Sequence, residues 1–187
     1  MHHNATNWYD AGPHAAEIYD QIETYTDDVE LIRALIGEHI PLRILEPFCG
    51  TGRILIPLAL DGHKLVGLDQ SSDMLERANM KIRQLPQVIQ QSITLSKADV
   101  TAEKWPGEFD VVILGGNCFY ELATPEEQAQ CIAFAANALK PGGYVYVDNN
   151  HMEGDLEASW QELGMVKRTL HGTCEDGTRV EGTMETI

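Results

Sequence analysis

From Arg43 to Val147 the sequence alternates short apolar runs with segments of helical period, and this alternation limits most strongly what the chain can fold into. Strands are predicted over Arg43–Pro47, Lys64–Leu68, Ile93–Lys97, Asp110–Leu114 and Tyr144–Val147. The run at 110–114 is wholly apolar after its first residue, which suits a central parallel strand. Between the strands lie helical stretches. One runs from the glycine turn at 50–52 to about Leu60, with Pro57 inside it and so a loosened first turn expected. The next begins at Ser71 or Ser72 as N-cap, with Asp73 and Glu76 in its first turn and Leu75, Ala78, Ile82 and Leu85 as its buried stripe. The third carries a capping box, Thr124 with Glu127, and Pro125 at its first position. Its expected stripe is Ala129, Ile132, Ala133, Ala136 and Leu139, stopped by Pro141-Gly142-Gly143. Strands alternating with helices imply an α/β chain, doubly wound, with a mostly parallel sheet covered on both faces.

Either side of this core the pattern changes. The first forty residues read as helical, with Ile18, Ile22 and Tyr25 on one face and Val29, Ile32, Leu35 and Ile36 on another, up to Pro41. After 150, a helix is expected over Asp155–Leu163, then an antiparallel hairpin of Val166–Thr173 and Thr178–Thr186 around an Asp176-Gly177 turn. The hairpin either completes the sheet's edge or belongs to a substrate lid whose later elements are missing; the second reading is preferred. A length of 187 residues fits one domain over 1–187.

Charge bears on partners. With 13 Lys and Arg against 29 Asp and Glu, the net charge is −16, and no basic cluster is present to grip a phosphate backbone. A nucleic-acid partner is not expected. Nor is a membrane one, since no run approaches the ~18 apolar residues of a spanning helix. Cysteines at 49, 118, 131 and 174 show neither Cys-x-x-Cys nor zinc-type His spacing, so a reducing, cytoplasmic setting without a metal is expected.

The segment Glu46-Pro47-Phe48-Cys49-Gly50-Thr51-Gly52-Arg53 carries the chemistry. Glycines directly after the first strand let the backbone turn tightly and approach a ligand, beside the unpaired N–H groups of a helix start. Asp69 ends the second strand, where a carboxylate can accept both ribose hydroxyls. Either a dinucleotide or an adenosyl cofactor fits so far. The dinucleotide fingerprint fails at its third glycine, where Leu55 stands.

These residues resemble the class I S-adenosylmethionine-dependent methyltransferases, whose first motif reads roughly E/D-x-G-x-G-x-G. The likeness extends through Asp69, Ser96-Lys97-Ala98-Asp99-Val100, Phe109–Leu114 and Leu139-Lys140-Pro141-Gly142-Gly143, five motifs in order over 44–148. It implies a Rossmann-like sheet of order 3-2-1-4-5, a lid at 1–40, a cofactor core at 41–150 and a C-terminal part at 151–187. It implies S-adenosyl-L-methionine as cofactor, S-adenosyl-L-homocysteine as product, and a small-molecule acceptor methylated on N or O. The cofactor residues it implies are Tyr19, Glu46, Phe48, Cys49, Gly50, Gly52, Arg53, Asp69, Gln70, Met74, Asp99, Val100, Gly115 and Gly116. Phe48 fills the slot of the family's first glycine, so an extended backbone with its ring against the methionine chain is expected. A side chain at Gly52 is expected to fill the methionine space. Arg53 either pairs with a cofactor carboxylate or is a solvated surface charge. Asp69 has a plainer reading as an N-cap, and Asp99 as a solvated strand-end acid.

Acceptor contacts are expected at the carboxyl ends of the fourth and fifth strands: Asn117, Phe119, Tyr120, Asn149 and His151. Leu114–Phe119 resembles a segment of small-molecule N-methyltransferases. His151 is a candidate base or a bystander, and no other catalytic group is marked. Tyr19 and Tyr25 are lid candidates, since residues 16–20 resemble the family's Tyr-Asp element; packing on the sheet edge is the alternative. Cys49 and Cys118 follow neighbouring strands and are expected to approach one another, as apolar fillers rather than a redox pair. A cofactor-binding regulatory protein without efficient catalysis is the second functional reading. Replacing Asp69 with Ala should weaken cofactor binding by about 1.5–3 kcal/mol, the range for hydrogen bonds to a charged group. An unchanged dissociation constant in calorimetry would move the ribose site elsewhere.

Overall fold

The computed structural model describes residues 12–37, 41–122, 124–149 and 166–185. The expected helix at 155–163 and His151 lie outside them. The chain divides into two compact units, the larger spanning Tyr25–Asn149 and the smaller comprising the segments before and after it.

In the larger unit β1 (Arg43–Pro47), β2 (Lys64–Asp69), β3 (Ile93–Lys97), β4 (Phe109–Leu114) and β5 (Leu139–Val147) form a parallel sheet in the order β3-β2-β1-β4-β5. The side-chain period of two sorts its residues between two cores. Ile44, Leu65, Val111 and Ile113 face one side, with Val29, Ile32 and Ile36 of α2 (Asp27–Ile36) and Leu55, Leu58 and Ala59 of α3 (Leu55–Leu60). Leu45, Leu68, Val112 and Leu114 face the other, with Cys131, Ala135 and Ala138 of α6 (Pro125–Ala138). Between these lie α4 (Ser72–Ile82) and the one-turn α5 (Gln87–Gln90). Ser71 caps α4 by accepting the Met74 N–H, and Leu75, Ala78 and Ile82 are buried as expected. The capping box of Thr124 and Glu127 is formed.

Four details differ from the sequence reading. The α6 stripe is turned: Cys131, Ala135 and Ala138 are buried, while Ala129, Ile132, Ala133 and Ala136 are exposed. This helix carries small or apolar residues on both faces, so periodicity alone permits either one. The Phe134 ring, 5.7 Å from that of Trp105, goes with the inner face. In addition, α6 ends at Ala138 and Leu139 already pairs with Phe109; the ladder then slips to pair Tyr144 with Val111, so Lys140–Gly143 is an irregular strand entry. The N-terminal helix is broken at 23–26, and Ile22, Tyr25 and Leu35 are exposed. Lastly, residues 53–54 are turn and α3 starts at Leu55, which leaves Pro57 in the first helical turn where its missing N–H costs little.

The smaller unit holds α1 (Pro13–Ile22) and the antiparallel pair β6 (Val166–Thr173) and β7 (Arg179–Glu185). Ala15, Ile18, Leu170 and Cys174 form its core. The hairpin is therefore a sheet of its own rather than an edge of the parallel one. No described helix is long and apolar enough to cross a membrane.

Gly67 in β2 is closely enclosed by three side chains. A Cβ there would lie 2.6 Å from Leu55 Cδ1, 2.7 Å from Cys49 Sγ and 2.8 Å from Leu95 Cδ2. The close helix–strand approach that a dinucleotide fold obtains from a third glycine is obtained here by placing the glycine in the strand under Leu55. Gly67→Val should cost about 3 kcal/mol or more through overpacking, read as a lowered urea midpoint or failure to fold. An unchanged midpoint would show that α3 does not press on β2.

Candidate functional site

The carboxyl ends of the five strands carry most of the sequence-predicted residues, and backbone hydrogen bonds bind their loops together. Cys49 N–H donates to Leu68 O at 2.9 Å, Ala98 N–H to Asp69 O at 3.0 Å, and Asp148 N–H to Leu114 O at 3.0 Å. The Asp69 carboxylate joins two loops: Oδ2 accepts Gly50 N–H and Oδ1 accepts Ser71 N–H, each at 2.8 Å. The plainer reading of Asp69 as an N-cap fails, because Ser71 caps α4 and Asp69 instead ties the glycine turn to the turn before that helix. These two bonds hold the carboxylate in place beside the glycine turn.

Phe48 sits at φ 67°, with its half-buried ring packed against the Leu45, Leu68 and Val112 core. The expectation of an extended backbone fails here. The turn imposes the left-handed conformation on whatever residue follows Pro47, and burial of the ring offsets a strain of about 1–3 kcal/mol. Gly50 (φ 51°) and Gly52 (φ 81°) are also left-handed, but their surroundings differ. A Cβ at Gly52 would meet Ile56 at 3.2 Å and Ala78 at 3.7 Å, so that position faces packed side chains rather than a ligand space. A Cβ at Gly50 would meet nothing within 4 Å. The open cradle is at Gly50.

Below this turn Glu46 is buried, and its Oε2 has no hydrogen-bond partner. Burial pushes its carboxyl well above the ordinary range; Arg53 and the Leu55 N–H pull the other way, while Asp28 and Asp69 add to the rise. An orphaned buried carboxylate oxygen is costly unless a donor, best a cationic one, meets it. Together, Glu46, Gly50 and Asp69 fit a ligand with a cationic donor at one end and a diol at the other.

Arg53 is not the solvated surface charge of one reading, and its carboxylate partner within the chain is Asp28. Its Nη1 and Nη2 donate to Asp28 Oδ1 and Oδ2 at 2.8 and 2.6 Å, and its guanidinium lies 4.0 Å from the centroid of the Tyr25 ring. With side chains 12% and 5% exposed, this is a buried pair rather than a surface charge. Tyr25 thus serves as a platform for Arg53. Tyr146, near the same charges, has its phenol pushed up to about 12, chiefly by burial and then by the carboxylates of Asp148 and Asp28. Sequence reasoning missed Asp28 and Tyr146, because only the fold brings α2 and β5 to the glycine turn.

The remaining candidates are more ordinary. Asp99 Oδ1 accepts from Thr101 N–H at 3.0 Å and Thr101 Oγ1 at 2.7 Å, bonds that hold its carboxyl below the usual range while it stays exposed. Val100 and Met74 are buried, and Gln70 is exposed. After β4, a Cβ at Gly115 would lie 2.5 Å from Ile54 Cδ1, so a side chain there requires Ile54 to shift; Gly116 and Asn117 are both left-handed. Phe119 packs against the α6-side core, and Tyr120 belongs by its backbone to a 3-10 turn over Cys118–Glu121. Asn149 is half-buried, and its Oδ1 also lacks a partner. Tyr19 lies half-buried on α1, in the smaller unit. Cys49 and Cys118 are buried and free of disulfides, but they pack into cores on opposite faces of the sheet instead of approaching one another. A cavity of about 220 Å³ lined by Leu42, Asp110, Lys140 and Gly143 is at the amino ends of the strands, away from these residues.

Comparison with known proteins gives a consistent result. A family model described as a methyltransferase domain matches residues 44–143. The cypemycin N-terminal methyltransferase of a Streptomyces species is 28% identical over 140 residues, covering 72% of this chain and 54% of that protein. The ubiquinone biosynthesis O-methyltransferase of Dechloromonas aromatica is 26% identical over 143 residues, 76% of this chain and 57% of that protein. The chain thus spans little more than half the length of these relatives. Among solved structures, the glycopeptide N-methyltransferase MtfA complexed with S-adenosyl-L-methionine aligns with a TM-score of 0.59 at 17% identity, covering 87% of this chain and 66% of that one.

The buried carboxyl of Glu46 has a pH signature. Its folded pKa is raised, so the stability it contributes is full below its unfolded value of about 4.3 and is lost as pH rises. Glu46→Gln should remove that loss. Without ligand, the variant should gain thermal stability relative to wild type as pH climbs from 4 to 8. A difference that stays constant over this range would mean that Glu46 is not desolvated.

Proposed function

The chain belongs to the methyltransferase-domain family, and on that premise we propose that it binds S-adenosyl-L-methionine and transfers the methyl group to a nitrogen or oxygen of a small molecule. The observation that carries this reading is the coincidence of three features at one sheet edge: the open face of Gly50, the orphaned oxygen of Glu46 and the clamped carboxylate of Asp69. Glu46 Oε2 accepts the methionine ammonium, Gly50 lets the backbone approach the sulfur-bearing chain, and Asp69 accepts the ribose hydroxyls. Asp99 and Val100 border the adenine, and Gly115 and Gly116 leave room beside the reacting end.

The cofactor, when bound, supplies a methyl on a sulfonium, so the chain's task is to align an acceptor lone pair behind that carbon. A protein base is needed only for an acceptor that arrives protonated. Asn117, Phe119, Tyr120, Asn149 and His151 are the candidates for acceptor contact. Asn149, with an unpartnered buried Oδ1, is the one supported by geometry, as an acceptor of a substrate N–H or O–H. A small acceptor is supported by the relatives' names, which refer to cypemycin in one case and ubiquinone biosynthesis in the other. The net charge of −16 opposes a nucleic-acid substrate. Four described cysteines outside disulfides fit a reducing, cytoplasmic setting.

Calorimetric titration with S-adenosyl-L-methionine, S-adenosyl-L-homocysteine and NAD tests the proposal. Both sulfur ligands should bind and NAD should not, with Glu46→Gln losing about 10- to 100-fold in affinity, equivalent to removing a charged hydrogen bond. Binding of NAD alone, or of none of the three, would overturn the reading.

A further inference from the structure

The smaller unit gathers three metal-ligating side chains that take no part in the glycine turn or the acceptor edge. His14 stands in the first turn of α1, while Cys174 and Asp176 stand in the turn between β6 and β7. Their ligand atoms all lie within 4.8 Å of one another, and His14 Nε2 is 3.1 Å from Asp176 Oδ2. We propose that His14, Cys174 and Asp176 form a site for a zinc-type divalent cation, which fastens α1 to the hairpin turn.

The chemistry of the donors selects the ion class. A thiolate, an imidazole nitrogen and a carboxylate oxygen form a mixed set that suits zinc or a similar transition metal, whereas calcium and magnesium take oxygen ligands. Thiolate and carboxylate together balance a divalent charge. The geometry is close to what such an ion requires. Zinc–ligand bonds of about 2.0–2.3 Å in a tetrahedron put ligand atoms about 3.3–3.7 Å apart. The histidine–aspartate edge already has that order of length, and the thiol closes with a shift of about 1 Å.

The turn is built to hold its two ligands in place. Cys174 N–H donates to Thr178 O at 2.8 Å, and Gly177, at φ 86°, donates its N–H to Cys174 O at 2.9 Å. Thr178 N–H occupies Asp176 Oδ1 at 2.8 Å, while Oδ2 is the oxygen on His14. Across from the turn, Gly172 lets the helix come close, since a Cβ there would lie 2.6 Å from Ile18 Cδ1. Cys174 is only 4% exposed, which shields the thiolate. The side chains of His14 and Asp176 are 44% and 59% exposed, which gives an entry path and room for a water as fourth ligand. On binding, the Cys174 S–H bond breaks, its proton leaves to solvent and a metal–sulfur bond forms; no electron is transferred. His14 is 160 or more residues from both Cys174 and Asp176, so no spacing rule could reveal the site.

The test uses the full chain, stripped with a chelator and titrated with cobalt(II) and then zinc. One equivalent of cobalt should produce the near-ultraviolet charge-transfer band of a thiolate–cobalt bond, and zinc should displace it. Cys174→Ser should abolish the band. His14→Gln and Asp176→Asn, at more exposed positions, should keep the fold and lower cobalt affinity about tenfold or more. If Cys174→Ser does not fold, these two variants decide. A missing thiolate band at saturating cobalt overturns the proposal. So does metal binding unchanged in His14→Gln and Asp176→Asn, which would assign the ion to other residues such as His2 and His3. The readout is independent of S-adenosyl-L-methionine, so failure here leaves the functional reading untouched, and the converse also holds.

Discussion

Because Gly67 has no side chain, Leu55 and Cys49 occupy the space beside β2 that a Cβ would fill, and the crossing from β1 into α3 comes down onto the neighbouring strand. Much of the site follows from that contact. With the turn pressed to β2, the Gly50 N–H reaches the Asp69 carboxylate and the Cys49 N–H reaches Leu68 O. The backbone must then turn through three left-handed residues at 48, 50 and 52. Two of them are glycines. The third, Phe48, holds the same conformation because its ring is anchored in the core below.

The electrostatics around this turn are unbalanced. Glu46 and Asp28 are buried carboxyls, Asp69 lies close by, and Arg53 is the cation that the described structure sets among them. Its guanidinium is held bidentately by Asp28 and stacked on Tyr25, which leaves Glu46 with a distant attraction and no bond at Oε2. Breaking a buried pair of this kind typically costs about 3–5 kcal/mol, because the partner left behind is an uncompensated charge. The pair therefore fixes α2 against the turn, and the excess negative potential is left at Glu46.

The sequence showed the repeating features well and the choices between equivalent ones poorly. The first four strands, the Ser71 and Thr124 caps and the hairpin were legible, since each is set by local backbone chemistry over a few residues. The α6 face was misread because both of its faces are small or apolar, and only packing against β4 and Trp105 selects Cys131, Ala135 and Ala138. The start of β5 was misread because Pro141-Gly142-Gly143 looks like a stop, whereas a register slip lets the ladder begin at Leu139.

Taken alone, the sequence determined the class of fold and where along the chain the candidate edge falls. Apolar period and glycine spacing are local properties, and right-handed crossovers leave few ways to assemble them. Only the tertiary structure decided which groups at that edge are satisfied. It gave Arg53 to Asp28, turned Gly52 toward Ile56, opened Gly50 and left Glu46 Oε2 without a donor. It also brought His14 beside Cys174 and Asp176. Burial and pairing depend on residues distant in the chain, and a linear pattern does not record which of them meet.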